Sequence, residues 1–289
     1  MGVKLLPVCL AILAFLSAAL SSSCLSPAAN PSNPFDILLP YQQVDRFNLA
    51  EFKEPSGLVF HPLRNTLFVI GDEGDIAELQ LDGNLVKQAR IKKEDFEGIT
   101  CDPATGLLYA VSESKAEILE INPEDFNVVR EFVVDPVFEE RRVLIEDKNK
   151  VEAITFVPEA DHPEGGRFYL NNKSTGLNSG SESVVFAVDA PLRSGAGDKL
   201  VGQITGYFTV PVTDLADLHY DHATDHLYLI SDETNTLFEV TRTGIGVNSY
   251  ALPGKNQEGL TVDHEGYLYI AEDSGGIIKF KPKQVNQRG

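Results

Sequence analysis

The sequence predicts an all-β fold of the β-propeller class. One stretch, from Phe96 to Ile121, reads as a carboxylate, a small residue, an apolar run, a tight turn and a second apolar run. This pattern is typical of a strand, a hairpin and a second strand, with acidic residues at both outer ends of the unit. The pattern recurs at intervals of 41, 55, 64 and 42 residues, counted between the small residues. Periods of about 40 to 50 residues are typical of propeller blades, and the two long intervals indicate blades that carry insertions.

Further copies of the unit can be aligned on the first by eye. They begin at Glu54, Val151, Asp214 and Gln257. Five blades use the chain without remainder, and a sixth is possible if the polar excursion at 135–150 hides strands. The last unit has three evident strands before the chain ends. An N-terminal strand predicted at 43–50 therefore completes the last blade and closes the ring, which removes exposed sheet edges.

The N-terminal region predicts export. Lys4 precedes an apolar run from Leu5 to Leu20 that is too short, and too close to the start, to favour a membrane-spanning helix. The predicted organisation is a signal peptide at 1–23, a tether at 24–42, the propeller at 43–283 and a polar tail at 284–289. The predicted location is the cell envelope, either periplasmic or extracellular.

The cysteines agree with an exported protein. Small residues directly before Cys24 look like the lipobox of bacterial lipoproteins, which predicts a lipid anchor at Cys24 and contact with a membrane. Ordinary signal cleavage nearby is the alternative. Cys9 leaves with the signal, so Cys101 alone remains in the folded part and no intramolecular disulfide is predicted. Cys101 lies on an apolar strand and is predicted to be a core residue.

The charge balance excludes one class of partner. The chain has 24 Lys and Arg residues against 43 Asp and Glu residues, which gives a formal net charge of −19. A surface of this charge repels phosphate backbones and attracts cations. Nucleic-acid binding is therefore not predicted.

The acidic residues of the repeat are expected to meet on one face of the propeller. The first two strands of a blade are antiparallel, so the start of the first and the end of the second lie on the same face. Glu54 and Asp214 lie slightly upstream of this position. The candidate metal ligands on the acidic face are Glu97, Glu152, Glu258, Asp72, Asp232 and Glu113.

Carboxylates that meet in this way need a neutralising partner. Like charges raise one another's pKa unless a cation compensates them, and a cage of oxygen ligands suits calcium better than zinc. The acidic face therefore predicts a bound metal cation, with calcium as the suspected cofactor. A small molecule or protein of unknown identity is the other predicted partner there. In the alternative interpretation, each glutamate caps backbone amides of the neighbouring blade and is a structural feature of the repeat.

The histidines and the known catalytic motifs give no second candidate site in the sequence. His219, His222 and His226 have ligand-like spacing, but they run from a first strand through its hairpin, so solvated turns are predicted instead of a metal site. His61 and His264 occupy comparable hairpin positions. The chain has no Gly-x-Ser-x-Gly elbow, no phosphate-binding glycine loop with lysine and no paired cysteine motif. No nucleophile is therefore predicted.

Several ordered motifs together resemble the SdiA-regulated family over about 44–281. They are Glu54 to Leu58, Leu67 to Glu73, Phe96 to Ile99, Asp214 to Leu218, Leu227 to Glu233 and Glu258 to Leu260. The resemblance implies an exported propeller outside the cytoplasm, in a family whose molecular activity is poorly defined.

More distantly, the Glu-Gly-Ile and Ser-Glu pattern is similar to the esterase-like phytase domain and the calcium-dependent lactonase propellers. That resemblance implies metal ligands at Glu97, Glu152, Glu258 and Asp232. The chain departs from the pattern in one blade, where Ala216 and Asp217 replace the Glu-Gly pair.

The sequence thus supports three hypotheses. The first is an exported, membrane-anchored, calcium-binding propeller that acts as a binding or scaffold module. The second is a calcium-dependent hydrolase of lactones or phosphoesters, in which a free carboxylate such as Glu113 serves as base. The third is a metal-free disc that binds proteins through the insertions at 135–150 and 173–183.

Overall fold

A computed structural model describes residues 37–49, 52, 54–92, 94–112, 115–144, 151–172, 182–197 and 199–283. The predicted signal peptide, Cys24, Glu113 and the polar tail lie outside the described residues. The described residues belong to one compact unit. Within the described ranges, no helix is long and apolar enough to cross a membrane.

Strands are the only regular secondary structure in the described residues, and most of these strands fall into consecutive groups of four. Two strands open the described chain, β1 (Ile37–Leu38) and β2 (Tyr41–Asn48). The first group is β3 (Pro55–His61), β4 (Thr66–Gly71), β5 (Asp75–Leu79) and β6 (Leu85–Arg90). The second group is β7 (Phe96–Cys101), β8 (Leu108–Ser112), β9 (Glu117–Ile121) and β10 (Val128–Asp135). A short hairpin follows, β11 (Val137–Phe138) and β12 (Arg141–Arg142).

The remaining strands repeat the arrangement. The third group is β13 (Val151–Pro158), β14 (Gly166–Asn172), β15 (Ser183–Asp189) and β16 (Lys199–Val210). The fourth is β17 (Leu215–Asp221), β18 (His226–Ser231), β19 (Thr236–Thr241) and β20 (Gly246–Ala251). The last is β21 (Gln257–Val262), β22 (Leu268–Glu272) and β23 (Gly276–Pro282).

The groups are arranged as the blades of a propeller. Within each group, neighbouring strands pair antiparallel in chain order. The first strands, β3, β7, β13, β17 and β21, lie side by side, and β21 returns to β3. The predicted all-β propeller is confirmed, with the first strand of each blade at the axis.

The N-terminal strand closes the ring as predicted. β2 pairs antiparallel with β23, and Phe47 faces Ile277 in the register. The folded part begins earlier than the predicted boundary at residue 43, because β2 starts at Tyr41 and β1 already pairs with β20. This parallel pairing gives the outer edge of the fourth blade a partner.

The second and third blades are joined at their outer edges. β10 pairs parallel with β16, and this pairing merges the two blades into one eight-stranded sheet. Glu131 on β10 also forms ion pairs with Lys92 at 2.9 Å and with Lys199 at 3.4 Å. The hairpin of β11 and β12 occupies the first part of the polar excursion, and residues 145–150 lie outside the described ranges.

Candidate functional site

Every inner strand carries a β-bulge at the same position. The pairing register between the first and second strands of each blade shifts across one residue. A bulge bends the strand locally and changes the direction in which a side chain points. The glutamates of the repeat therefore occupy the same position of a β-bulge near the axis. The bulge residues are Ser56, Glu97, Glu152, Ala216 and Glu258.

The small residue after the bulge allows neighbouring inner strands to approach each other closely. A Cβ atom at Gly98 would lie 2.8 Å from the Cα of Ala153 on the next inner strand. Real Cβ atoms do not come so close to backbone, so the Glu-Gly pair combines an acidic bulge with a tight contact between blades.

The fourth blade uses Asp217 at this small-residue position. Its buried carboxylate accepts the Leu260 N–H at 2.6 Å and the Leu218 N–H at 2.8 Å. Burial raises the pKa of Asp217 well above its usual range, the two N–H donors oppose that rise, and the charge of Glu258 adds to it. Asp217 thus links the fourth blade to the fifth, which gives the departure from the Glu-Gly pattern a structural role.

Three carboxylates come together at the junction of the first and second blades. Ligand atoms of Asp72, Asp95 and Glu97 all lie within 4.8 Å of one another, and the three side chains are half-buried. Asp72 follows β4, whereas Asp95 and Glu97 lie at the start of β7. The Ser56 hydroxyl donates a hydrogen bond to Asp72 Oδ1. We call Asp72, Asp95 and Glu97 the acidic cluster.

Asp95 was not among the residues predicted from the sequence. It directly precedes β7, as Glu54 precedes β3 and Asp214 precedes β17. In the sequence, Glu54 and Asp214 lie just upstream of the acidic position. Alignment of the repeats therefore indicates Asp95 as the equivalent residue of the second blade. The path of the backbone around the bulge brings Asp95 beside Asp72. No local sequence pattern predicts this path.

The other predicted ligands lie in the expected parts of the blades. Glu152 is 3% exposed at the bulge of β13, and Glu258 is half-buried at the bulge of β21. Asp232 follows β18, and its N–H donates to the Asp214 carbonyl at 3.3 Å. These three residues are not part of the acidic cluster, and the described residues contain no second group of this kind. Their role as ligands stays a prediction, and Glu113 lies outside the described residues.

The acidic cluster fits a calcium ion by its donors and its spacing. Calcium binds oxygen at about 2.3–2.6 Å, so two of its ligands are at most about 5 Å apart. The cluster spacing lies within this limit. All of its donors are carboxylate oxygens, which favours a hard cation over zinc.

Two histidines of the opposite face differ from the prediction of solvated turns. His61 is buried, its Nε2 lies 2.8 Å from the Gly106 carbonyl oxygen, and burial lowers its pKa. His226 Nδ1 lies 2.7 Å from Glu239 Oε1. The prediction was wrong for these two residues because the hairpins pack against neighbouring strands, where the rings find partners.

Cys101 is a core residue, as predicted. It is 8% exposed, and its thiol lies 3.6 Å from the Phe60 carbonyl oxygen. Burial raises the pKa of the Cys101 thiol to about 12. The thiol is therefore protonated at neutral pH and is not a nucleophile.

Fold and site together define a β-propeller with an acidic cluster between two blades. A sequence model of the SdiA-regulated family matches residues 200–277. The match covers less than half of the chain, and over that part the chain is similar to the SdiA-regulated family, in agreement with the resemblance of its motifs. No curated protein matches the chain.

Two solved structures are similar to the chain. Glutaminyl cyclase from Myxococcus xanthus is similar with a TM-score of 0.59 and 12% identity, over 83% of this chain and 95% of that chain. The Cps50 (Swd1) β-propeller domain of Myceliophteria thermophila is similar with a TM-score of 0.48 and 10% identity, over 83% of this chain and 99% of that chain. At this identity the glutaminyl cyclase likeness shows the fold alone.

Proposed function

We propose that this protein is an exported, calcium-binding propeller of the cell envelope that is lipid-anchored at Cys24 and acts as a binding or scaffold module. The observation that carries the proposal is the acidic cluster, in which ligand atoms of Asp72, Asp95 and Glu97 lie within 4.8 Å of one another. Calcium fits the donor set, and the net charge of −19 favours cation binding in general.

The position of the cluster suggests what a bound cation would do. Asp72 belongs to the first blade, whereas Asp95 and Glu97 belong to the second. Ligands from both blades would make cation binding depend on the folded ring, so binding would stabilise it. When bound, calcium would supply a positive centre on an acidic face. That centre could hold a carboxylate or phosphate group of a small molecule or protein partner.

Thermal melting of the full chain tests calcium binding. We expect EDTA to lower the midpoint and added calcium to raise it, because a ligand at 100 times its dissociation constant stabilises by about 2.7 kcal/mol. Magnesium, which demands a stricter octahedral site, should have a smaller effect. Glu97→Gln should abolish the calcium shift. Glu265→Gln is the matched control, because Glu265 is exposed on a hairpin of the opposite face.

Two results would overturn the calcium proposal. One is a midpoint that no divalent cation moves. The other is a calcium shift of equal size in the chain with Glu97→Gln, which would place the binding elsewhere.

The envelope location is tested through the anchor. The full chain expressed in a bacterial host should partition into the detergent phase of Triton X-114, and the chain with Cys24→Ser should move to the aqueous phase. Equal partitioning of the two chains would contradict lipidation at Cys24.

The hydrolase alternative rests on the same acidic cluster. A cation held there could polarise a carbonyl or phosphoryl oxygen, and Glu113 is the candidate base. A panel of lactones, esters and phosphoesters with calcium present tests this alternative. Calcium-dependent turnover that Glu97→Gln and Glu113→Gln both abolish would support it, and a clean negative would favour the binding module.

A further inference from the structure

The propeller has a concave site on the face opposite the acidic cluster. A pocket of about 490 Å³ lies where the inner strands end. Along β7, the acidic residue Glu97 and the pocket residue Cys101 are separated by about 13 Å of strand. The pocket is therefore distinct from the acidic cluster, and the inference below does not depend on calcium binding.

Equivalent positions of the repeat form the floor and wall of this pocket, which we call the axial pocket. The floor residues lie two positions after the small residue of four inner strands, and the wall residues lie three positions after it in all five. The floor includes Val59, Thr100, Thr155 and His219. The wall includes Phe60, Cys101, Phe156, Tyr220 and Val262.

Aromatic rings line much of the axial pocket. Phe60 stacks on His264 with ring centroids 5.5 Å apart, and Tyr220 meets His222 edge-on at 4.8 Å. Ligand pockets of this size are commonly apolar and aromatic, with a few convergent polar groups that fix orientation. A flat aromatic molecule could make further ring contacts with these side chains.

His219 is the polar group that breaks the repeat. The equivalent position is Val59 in the first blade and a threonine in the three others. These threonines accept backbone N–H groups of the next inner strand, as Thr100 does from Phe156 at 3.0 Å and Thr155 does from Tyr220 at 3.0 Å. His219 takes the place of such a threonine in the fourth blade. Among the described residues, no hydrogen bond to its ring occurs, and the half-buried ring lines the pocket.

The carboxylates near the pocket are already engaged by their own turns. Asp221 accepts the Ala223 N–H at 3.0 Å and the Thr224 hydroxyl at 2.7 Å. Asp263 accepts the Glu265 N–H and the Tyr267 N–H, both at 2.9 Å. The His219 ring is neutral, because burial lowers its pKa to about 4. A neutral imidazole offers one donor and one acceptor to a ligand.

We propose that the axial pocket binds an uncharged aromatic small molecule whose N–H or O–H group pairs with the His219 ring. The aromatic wall supplies the apolar contacts, and His219 supplies orientation. An anion is disfavoured because Asp221 and Asp263 surround the pocket and the whole chain is strongly acidic.

A matched pair of fluorescent probes tests this proposal. N-phenyl-1-naphthylamine is uncharged, aromatic and carries one N–H, and 8-anilinonaphthalene-1-sulfonate has the same rings with a sulfonate added. We expect saturable fluorescence enhancement of the neutral probe with the full chain at pH 7. Binding of the sulfonate should be at least about tenfold weaker, since a repelled anion loses more than 1.4 kcal/mol.

Two variants place the binding in the axial pocket. His219→Thr restores the residue type of the repeat, so this variant should fold. It should lower the affinity for the neutral probe about three- to tenfold through loss of one hydrogen bond. Ala223→Trp, on an exposed turn at the pocket, should block binding. Ala160→Trp, on an exposed turn outside the axial pocket, is the matched control and should bind normally.

Probe binding to apolar segments outside the pocket, such as the N-terminal apolar run, is the same in all variants. A difference in affinity between variants therefore reports on the axial pocket. No saturable signal from the neutral probe would overturn the proposal. So would equal affinity for the two probes, or unchanged affinity in both His219→Thr and Ala223→Trp.

Discussion

The Thr155 hydroxyl accepts the backbone N–H of Tyr220 at 3.0 Å, across the gap between the third and fourth inner strands. The Thr261 hydroxyl does the same for Phe60 at 2.9 Å, between the last blade and the first. An inner strand has no sheet partner on its axial side, so a buried N–H there needs a side-chain acceptor. These threonines therefore help to hold the ring together.

Removal of one such acceptor should destabilise the propeller. Thr155→Val keeps the shape of the side chain but leaves the buried Tyr220 N–H without its acceptor. We expect the free energy of unfolding to fall by about 1–3 kcal/mol. Urea denaturation measures the loss, with Thr209→Val on an exposed position of β16 as the control. Equal stability of the two variants would contradict this role.

The close approach of inner strands makes a second prediction. Gly98→Ala would place a Cβ 2.8 Å from the Ala153 Cα, so the strands must separate. We expect a loss of about 1–3 kcal/mol, as is typical of overpacking. Gly206→Ala is the control, because nothing lies within 4 Å of a Cβ built there. A melting midpoint in Gly98→Ala that matches the control would refute the tight contact.

The half-buried ring of His219 predicts a pH effect. Burial lowers the pKa of His219 to about 4, the Asp221 charge opposes this shift, and the His222 charge adds to it. In the unfolded chain a histidine titrates near 6.5, so between pH 6.5 and 4 the unfolded state binds more protons than the folded state. The contribution of His219 to stability is therefore present above pH 6.5 and is lost as the pH falls towards 4.

The variant His219→Thr isolates this contribution from the many other groups that titrate in the same range. Urea unfolding at pH 7 and at pH 4.5 should show a smaller loss of stability in His219→Thr than in the unmodified chain. An equal loss in both chains would mean that the ring is not held in its neutral form.

The thiol of Cys101 should be inert in the folded protein. Burial raises the pKa of Cys101 to about 12, so almost no thiolate exists at pH 8. We expect iodoacetamide to leave the peptide that contains Cys101 unlabelled in the native chain and to label it in guanidinium chloride. Mass spectrometry of the digested chain reports the site. Native labelling as fast as in denaturant would contradict burial.

Much of the fold could be predicted because its signals are local. Alternating apolar runs and tight turns such as Asp102 to Leu107 define each hairpin, and their period defines the blades. The closing strand β2 could be predicted because the last unit is one strand short. The parallel pairing of β10 with β16 could not, since it joins residues from separate blades without a pattern in either segment.

The candidate site was predicted less completely for a similar reason. Asp72 and Glu97 were predicted from their places at the ends of strands, but the bulge that turns Glu97 depends on pairing with β8. Asp95 joins the cluster only through the packing of the second blade against the first. The place of His219 among the threonines appears only when the repeats are aligned at single-residue level.

The most direct test of the calcium site is a titration of the full chain, freed of metal, by isothermal calorimetry at pH 7. We predict one saturable calcium site that is lost in Asp95→Asn and in Glu97→Gln, because both remove a charged ligand of the acidic cluster. Glu265→Gln should bind as the unmodified chain does. Absence of calcium binding, or full binding retained in Asp95→Asn and Glu97→Gln, would contradict the assignment of the acidic cluster as the metal site.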